Sequence, residues 1–431
     1  MAEAAPATSV EAAAERRRRS GLSLRTFSAF SEPAFRLVWA NNFTYALAQG
    51  IQRFAFIWLA LDLSKSNGVL GAVSFALGIP VLFFSLPAGV LSDRYDRRVL
   101  LLGSQIFVLG ASLLTAVLIW AGFVNVAVVL GLALLVGSGV AVGQPVRRAI
   151  VPTIVAPDRL MNAITLNSLG QNGSQIIGPA LGGAAIAIWG IGASFALQSV
   201  LMGLGLLVLI PLRIPRTEGG RPQRRIRTEI GEGFGFILGR ADIRALFILL
   251  LGSALIMMGP WQALLPKIAK EELGSGPFSA SMLFAAMGSG MICSSLLLAS
   301  LPRIPNAGGW FATTLVTGGL LAIGIGLSNV YWVTFGFMLL SGLNAGFFIN
   351  LNLTLIQSHT PNAVMGRVMS IYTLVQMGGS PLGSLLAGGG AEVVGPGEWF
   401  ALCGAAMAVL AVLFLVTQPR LRRMPSAPGA G

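Results

Sequence analysis

Two acids and three arginines are concentrated in residues 89–98, between two apolar segments of about twenty residues each. Asp93 stands at the expected C-terminal end of a helix, where the helix dipole disfavours an anion. Its carboxylate therefore needs a cationic partner, and Arg94, Arg97 and Arg98 follow it closely along the chain. This spacing predicts a charged latch at a membrane surface.

The order of these residues resembles a known signature. The pattern Gly-x-Leu-x-Asp-Arg-x-x-Arg-Arg is similar to the loop between helices 2 and 3 in the major facilitator superfamily of transporters, in the branch that contains enterobactin and macrolide exporters. Many members carry glycine where this chain has Asp96, so the turn here would use the tolerance of Asp for left-handed backbone. A charge cluster that only fixes topology is the competing interpretation. The resemblance implies a cytoplasmic gate made of Gly89, Asp93, Arg94, Arg97 and Arg98.

Composition indicates a polytopic membrane protein. Of 431 residues, 55% are hydrophobic and 10% are charged, against about 25% charged in a soluble protein. The mean hydropathy is +0.78. The net charge of +13 comes from arginines that recur on one side of the membrane, which makes it a topology signal and not a nucleic-acid-binding surface. Two cysteines within apolar segments and a single histidine predict no disulfide, no metal site and no cofactor.

Twelve apolar segments are long enough to cross a bilayer, because about 20 helical residues cover a hydrocarbon core of about 30 Å. We therefore expect an all-α protein of twelve transmembrane helices. The segments lie near residues 37–61, 68–92, 99–121, 124–146, 161–187, 190–212, 245–266, 277–300, 308–328, 330–354, 367–394 and 397–418.

Loop charges predict the orientation. One side of the membrane is rich in arginine, whereas the loops of the other side carry only Lys65, Lys267 and Lys270. The positive-inside rule then places both termini in the cytoplasm, and the resemblance implies the inner membrane of a bacterium. We call the lysine side the predicted outer face and the arginine side the predicted cytoplasmic face.

A polar linker divides the chain into two halves, and a short motif of the first half recurs in the second. The motif Pro157–Asn162 before segment five is similar to Pro361–Gly366 before segment eleven, roughly 200 residues later. This spacing is typical of a parallel repeat of two six-helix halves. The predicted units are a disordered cytoplasmic tail at 1–34, halves at 35–212 and 245–418, a cytoplasmic linker at 213–244 and a second tail at 419–431.

Polar side chains share a helical face in three segments. Arg53 is interpreted as the only charged residue well inside a segment, where a charge costs at least about 2.5 kcal/mol and marks a functional candidate. Asn42, Gln49 and Arg53 lie on one face of segment one, with Tyr45 beside them. Segments five and eleven carry similar faces, made of Thr165, Ser168, Gln171, Asn172 and Gln175 and of Ser370, Thr373, Gln376 and Ser380.

These faces predict a central cavity in which Arg53 attracts an anionic or carbonyl-rich small molecule. The competing interpretations are an arginine that snorkels to the surface and amides that only join helices. The predicted cavity residues are Asn42, Tyr45, Gln49, Arg53, Ser168, Gln171, Asn172, Gln175 and Gln376.

Segment five also contains Gly178, Pro179, Gly182 and Gly183. Proline removes a backbone donor and can kink a helix, while the glycines let another helix approach. The group is similar to the Gly-Pro-x-x-Gly-Gly core of the antiporter motif of exporting members of the superfamily. It predicts a bendable, closely packed helix, and a packing role alone is the alternative.

The resemblance implies a secondary transporter that exports a drug, siderophore or metabolite by alternating access and in antiport with protons. No Asp or Glu lies in the middle of a segment, so the candidate proton carriers are Asp62 and Asp93. An importer or a facilitator without proton coupling is the alternative. Without a catalytic cluster or a nucleotide-binding loop, the sequence predicts no enzyme. The expected partners are the substrate, the lipid bilayer and protons, and we expect a monomer.

Overall fold

The computed structural model describes residues 25–94, 96–156, 159–212, 226–300, 306–361 and 364–418, together with residues 422, 424 and 425. All regular structure in these ranges is helical. The helices are α1 (Pro33–Leu63), α2 (Asn67–Arg94), α3 (Arg97–Trp120), α4 (Val126–Ile154), α5 (Leu160–Trp189), α6 (Ile191–Leu209), α7 (Ile226–Gly239), α8 (Ala241–Glu272), α9 (Pro277–Ser300), α10 (Ala307–Gly326), α11 (Tyr331–Ser358), α12 (Met365–Val394) and α13 (Pro396–Thr417).

Apart from the short α7, these helices are consistent with the twelve predicted spans. By length and hydropathy alone, nine helices of the described chain qualify as membrane spans. The long helices that fall short are α1, α5 and α12, which carry the predicted polar faces. A helix with polar groups at membrane depth must direct them toward other helices or toward a cavity. The low hydropathy of these three helices therefore agrees with an interior position.

The helices pack in a pattern that occurs twice. In the first six, α1 packs against α5, α2 against α4, and α3 against α6. The last six repeat these neighbours as α8 with α12, α9 with α11, and α10 with α13. Two further contacts, α2 along α12 and α5 along α9, join the two sets. The polar faces of α1, α5 and α12 are thereby placed near the junction between the sets.

The connecting segments are more structured than we expected. The predicted linker contains the helix α7, and an ion pair between Glu232 and Arg367 attaches α7 to α12. Before α1, residues Arg25–Ser31 form a 3-10 helix, and the backbone N–H of Ala29 donates to Asn162 Oδ1 at 2.9 Å. The predicted disordered tail was thus too long at its C-terminal end, and residues 1–24 lie outside the described residues.

Among the described residues of the first six helices, Arg147 forms the most extensive buried polar contact. Its side chain lies within α4, 7% exposed, because α4 continues to Ile154 past Pro145 and Pro152. The guanidinium donates to the amide oxygens of Asn41, Asn42 and Gln105, and its Cζ lies 3.5 Å from the centre of the Tyr45 ring. The interpretation of Arg53 as the only charged residue well inside a segment was therefore wrong.

We expect Arg147→Met to lower the free energy of unfolding by about 3 kcal/mol, because the buried amide oxygens of Asn41 and Asn42 would lose their donor and Gln105 Oε1 would keep only the Asn41 amide. Arg147→Lys should recover little, since an ammonium group cannot reproduce the planar fork of donors. Arg36→Met is the matched control, because Arg36 is an exposed arginine of α1. Thermal unfolding followed by size-exclusion chromatography in detergent measures the effect. Equal stability of the Arg147 and Arg36 variants would contradict a stabilising role for the hydrogen bonds of Arg147.

Candidate functional site

Arg53 and Gln175 are the central pair of the candidate site. They project from α1 and α5, and Arg53 Nη2 donates to Gln175 Oε1 at 3.0 Å. Both residues are exposed, so the guanidinium reaches the surface of the protein. Among the described residues, the partner of Arg53 is this neutral amide and not a carboxylate. The arginine therefore retains its full charge for interaction with another molecule.

The rest of the polar face of α1 is less accessible than we predicted. Asn42 and Tyr45 are 7% and 4% exposed, respectively. Asn42 Nδ2 donates to Asn167 Oδ1 at 3.0 Å, and Gln49 Nε2 donates to the Tyr45 hydroxyl at 3.2 Å. In this structure Asn42 and Tyr45 thus bond within the first six helices and support the accessible pair instead of lining a cavity.

The polar face of α5 is accessible over most of its length, since Ser168, Gln171 and Asn172 are exposed together with Gln175. The hydroxyl of Ser168 is satisfied within its own helix, where it donates to Ile164 O at 2.9 Å. The amides of Gln171, Asn172 and Gln175 are therefore the groups of this face best suited to contact a ligand.

The second set of helices contributes a smaller polar contact. Gln262 Nε2 of α8 donates to Ser380 Oγ of α12 at 2.8 Å, which repeats the α1 to α5 contact of the first set. Gln376 is half-buried on α12, and Ser370 and Thr373 donate to carbonyls of their own helix. The charged part of the site thus comes from the first six helices.

The glycines of the predicted bending motif lie where α5 meets its neighbours. A Cβ atom on Gly178 would lie 2.8 Å from Gly50 Cα of α1, and one on Gly183 would lie 2.6 Å from the carbonyl oxygen of Pro277 at the start of α9. Gly182 and Pro179 are also buried, and α5 remains helical through Pro179. These positions show close packing, whereas bending at Pro179 stays a prediction.

The charged loop between α2 and α3 is described in part. The surroundings of Gly89 and the side chains of Asp93 and Arg94 lie outside what the structure describes. Asp96 has φ −58° and caps α3, since its side chain accepts from the Arg98 N–H at 2.8 Å. The expected left-handed turn at Asp96 was therefore wrong, and the residue serves instead as a helix N-cap. Arg98 Nη2 also donates to Ile210 O at 2.6 Å, next to the end of α6.

Asp62 lies away from the central pair, about 13 Å further along α1 than Arg53. Its carboxylate forms an ion pair with Lys270 of α8, and neighbouring Lys267 donates to the backbone carbonyl of Lys65. Lys267 is 4% exposed, so it is a second buried cation that the sequence did not reveal. These contacts join the first and second sets of helices at the predicted outer face.

Solved transporters share this fold. The chain is similar to a bacterial homolog of the human lysosomal transporter Spinster, in an inward-facing and occupied conformation, with a TM-score of 0.67 and 15% identity over 92% of this chain and 97% of that one. A mutant of the peptide transporter POT, in complex with sulfate, gives a TM-score of 0.72 at 15% identity, over 91% and 96% of the two chains. At these identities the likeness concerns the fold alone.

Relatives similar over most of the chain are bacterial membrane transporters. The enterobactin exporter of Citrobacter koseri is 26% identical over 92% of this chain and 95% of its own length. The staphyloferrin A transporter of Staphylococcus aureus is 24% identical, over 89% and 96% of the two chains. Macrolide efflux protein A of Streptococcus pyogenes is 23% identical, over 88% and 94%.

A family model for transmembrane secretion effectors matches residues 24–429, which is nearly the whole chain. The match includes all the helices described above, together with the loop that carries Asp93. It also agrees with the resemblance of that loop to the superfamily signature. The chain is a multi-pass membrane transporter, not an enzyme, and belongs to the transmembrane secretion effector family of the major facilitator superfamily.

Proposed function

We propose that this protein exports a small organic molecule from the cytoplasm across the inner membrane of a bacterium by alternating access. The observation that carries the proposal is the exposed Arg53, which is held at membrane depth by Gln175 and has no acid as its partner among the described residues. The efflux and export functions named for the relatives support the direction of transport.

The contacts between the two sets of helices support a form that is open toward the cytoplasm. Asp62 and Lys270 join the sets at the predicted outer face, and Gly183 lies against the start of α9 at the same end. The exposed polar side chains of α5 lie nearer the opposite end. A substrate would therefore enter from the cytoplasm and leave after the sets rock against each other, with Asp93 as part of the cytoplasmic gate.

The chemistry of the site favours a substrate with negatively charged or carbonyl oxygens. A guanidinium group binds a carboxylate through two parallel hydrogen bonds, and such charge-assisted bonds are about twice as strong as neutral ones. The amides of Gln171, Asn172 and Gln175 can donate to further oxygens of the same ligand. Two of the relatives are named for siderophores, enterobactin and staphyloferrin A, and we propose a ligand of comparable oxygen content.

We further propose that export is driven by protons, with Asp62 and Asp93 as the candidate carriers. The described residues provide no carboxylate beside Arg53, so proton and substrate would bind at separate places. Proton binding to Asp62 would neutralise its ion pair with Lys270, which joins the two sets of helices. This proposal links proton uptake at the outer face to separation of the sets.

Inside-out membrane vesicles provide the test of direction and energy source. We expect an anionic siderophore to accumulate in these vesicles when their interior is made acidic, and a permanently cationic dye to accumulate less. Vesicles without the protein are the control. Equilibration without accumulation would contradict antiport and support a facilitator. Uptake only by right-side-out vesicles would support an importer.

We expect Arg53→Gln to weaken the apparent affinity for an anionic substrate by about tenfold or more, since one charge-assisted contact contributes about 1.5–3 kcal/mol. Initial export rates across a range of substrate concentrations measure the change. Arg36→Gln removes the same charge from an exposed position of α1 outside the site and should leave the kinetics unchanged. Unchanged kinetics for Arg53→Gln would show that this arginine is not a substrate contact.

We expect Asp93→Asn to abolish export while the amount of folded protein stays normal, because the substitution removes the acid of the charged loop. The matched control is Asp96→Asn, three residues later. It removes an acid from the same loop, while Asn is as good an N-cap as Asp. Export by the Asp96 variant combined with loss in the Asp93 variant would support the gate. Normal export by Asp93→Asn would remove Asp93 from the mechanism.

A further inference from the structure

Glu392, near the end of α12, contacts the start of α2 in the other set of helices. Its Oε2 accepts from the backbone N–H of Asn67 at 2.7 Å and of Gly68 at 3.1 Å, and from the Ser66 hydroxyl at 3.3 Å. A carboxylate at the N-terminus of a helix satisfies unpaired N–H groups and is favoured by the helix dipole. Glu392 is therefore an N-terminal cap supplied by the opposite set of helices.

The contact is reciprocal. The Asn67 side chain, which is buried, donates from Nδ2 to Ala391 O at 2.8 Å, directly beside the residue that caps its backbone. Asn67 and Glu392 thus connect the same two helix ends in both directions. We call this group of residues, Ser66, Asn67, Gly68, Ala391 and Glu392, the α2–α12 clasp.

Glycines below the clasp allow the two helices to approach closely. A Cβ atom on Gly71 would lie 2.5 Å from Ser384 O and 3.0 Å from Gly388 Cα, and one on Gly388 would lie 2.6 Å from Asn67 O. The clasp can form only when α2 and α12 are in this backbone contact, because its hydrogen bonds are short and mostly involve backbone groups.

We propose that the α2–α12 clasp is the contact that holds the predicted outer face closed, and that its opening and closing set the balance between the two forms of the transporter. The inference rests on the proposed function, because the second form is the outward-open state of an alternating-access cycle. Glu392 and Asn67 are therefore gating residues, and neither contacts the Arg53 site.

The chemistry of the clasp suits a contact that must break in every cycle. Glu392 is exposed, so water can solvate its carboxylate and the N–H groups of α2 as soon as the helices separate. A fully buried ion pair would be left without partners on opening. Asp62 and Lys270, which form another charged contact at this face, also have partly exposed side chains, at 42% and 34%.

Distances between spin labels on the outer loops test the proposal without any substrate. Phe123 follows α3 and Leu327 follows α10, and they are 73% and 62% exposed at the predicted outer face of the two sets. Labels at Phe123→Cys and Leu327→Cys, in a chain with Cys293→Ser and Cys403→Ala, report separation of the sets by double electron–electron resonance in lipid nanodiscs.

We expect Glu392→Gln to raise the population with the long label distance, relative to the population with the short one, by about tenfold. The amide retains the shape of the side chain but loses its charge. Asn67→Asp should have at least as large an effect, since it places a second carboxylate beside Glu392. The matched control is Glu398→Gln, which removes the same charge from α13, within one set of helices. Its distances should equal those of the parent chain.

The proposed role of the clasp would be overturned if Glu392→Gln and Asn67→Asp gave the same label distances as the Glu398 control. Opening in both variants supports it, whatever the vesicle measurements show. If both variants open and the parent chain exports nothing in inside-out vesicles, the clasp stands and the proposed direction of transport fails. The two proposals are thereby tested separately.

Discussion

The structure depends on the requirement that charges and polar groups within a membrane be paired by protein, because lipid offers no hydrogen bonds. Arg147 shows how the first six helices meet this requirement. The oxygens that surround its guanidinium belong to α1 and α3, and Gln105 in turn donates to Met202 O of α6 at 2.9 Å. Asn42 extends the network to α5 through Asn167. One arginine of α4 thus fixes the positions of four other helices.

The contacts around Arg147, within the first set of helices, are more deeply buried than the charged contacts of Asp62 and Glu392 between the sets. Within the first set, the polar contacts around Arg147 are buried and separation of the helices would leave them unsatisfied. Between the sets, the Asp62–Lys270 pair and the Glu392 carboxylate are partly exposed, so water can replace their partners, whereas the side chains of Lys267 and Asn67 are buried. The glycine contacts at Gly71 and Gly183 add close packing without polar groups that must be paired again. This difference is what rigid-body rocking requires, since the halves stay intact while the surface between them opens.

The sequence predicted the parts of the structure that follow from periodicity and length. The polar faces of α1 and α5 were visible at helical spacing, and the structure brings Arg53 and Gln175 from these faces into contact. Arg147 was missed because Pro145 and the pair Arg147–Arg148 resemble the end of a helix, whereas α4 continues through them. Glu392 was missed because a pattern along one chain does not show which helix end lies opposite. Asp96 was placed in the right loop with the wrong backbone conformation.

Two arginines within long helices illustrate why a site cannot be assigned from residue type alone. Both bind neutral amides, but Arg147 donates to three of them, stacks on Tyr45 and is 7% exposed. Arg53 has one amide partner and remains exposed. An anionic ligand can displace the Gln175 oxygen with a net gain, because it replaces a neutral contact with a charge-assisted one. Around Arg147 the same exchange would disrupt the packing of five helices. Arg53 is therefore the proposed substrate contact, and Arg147 bonds to the helix on which Arg53 lies.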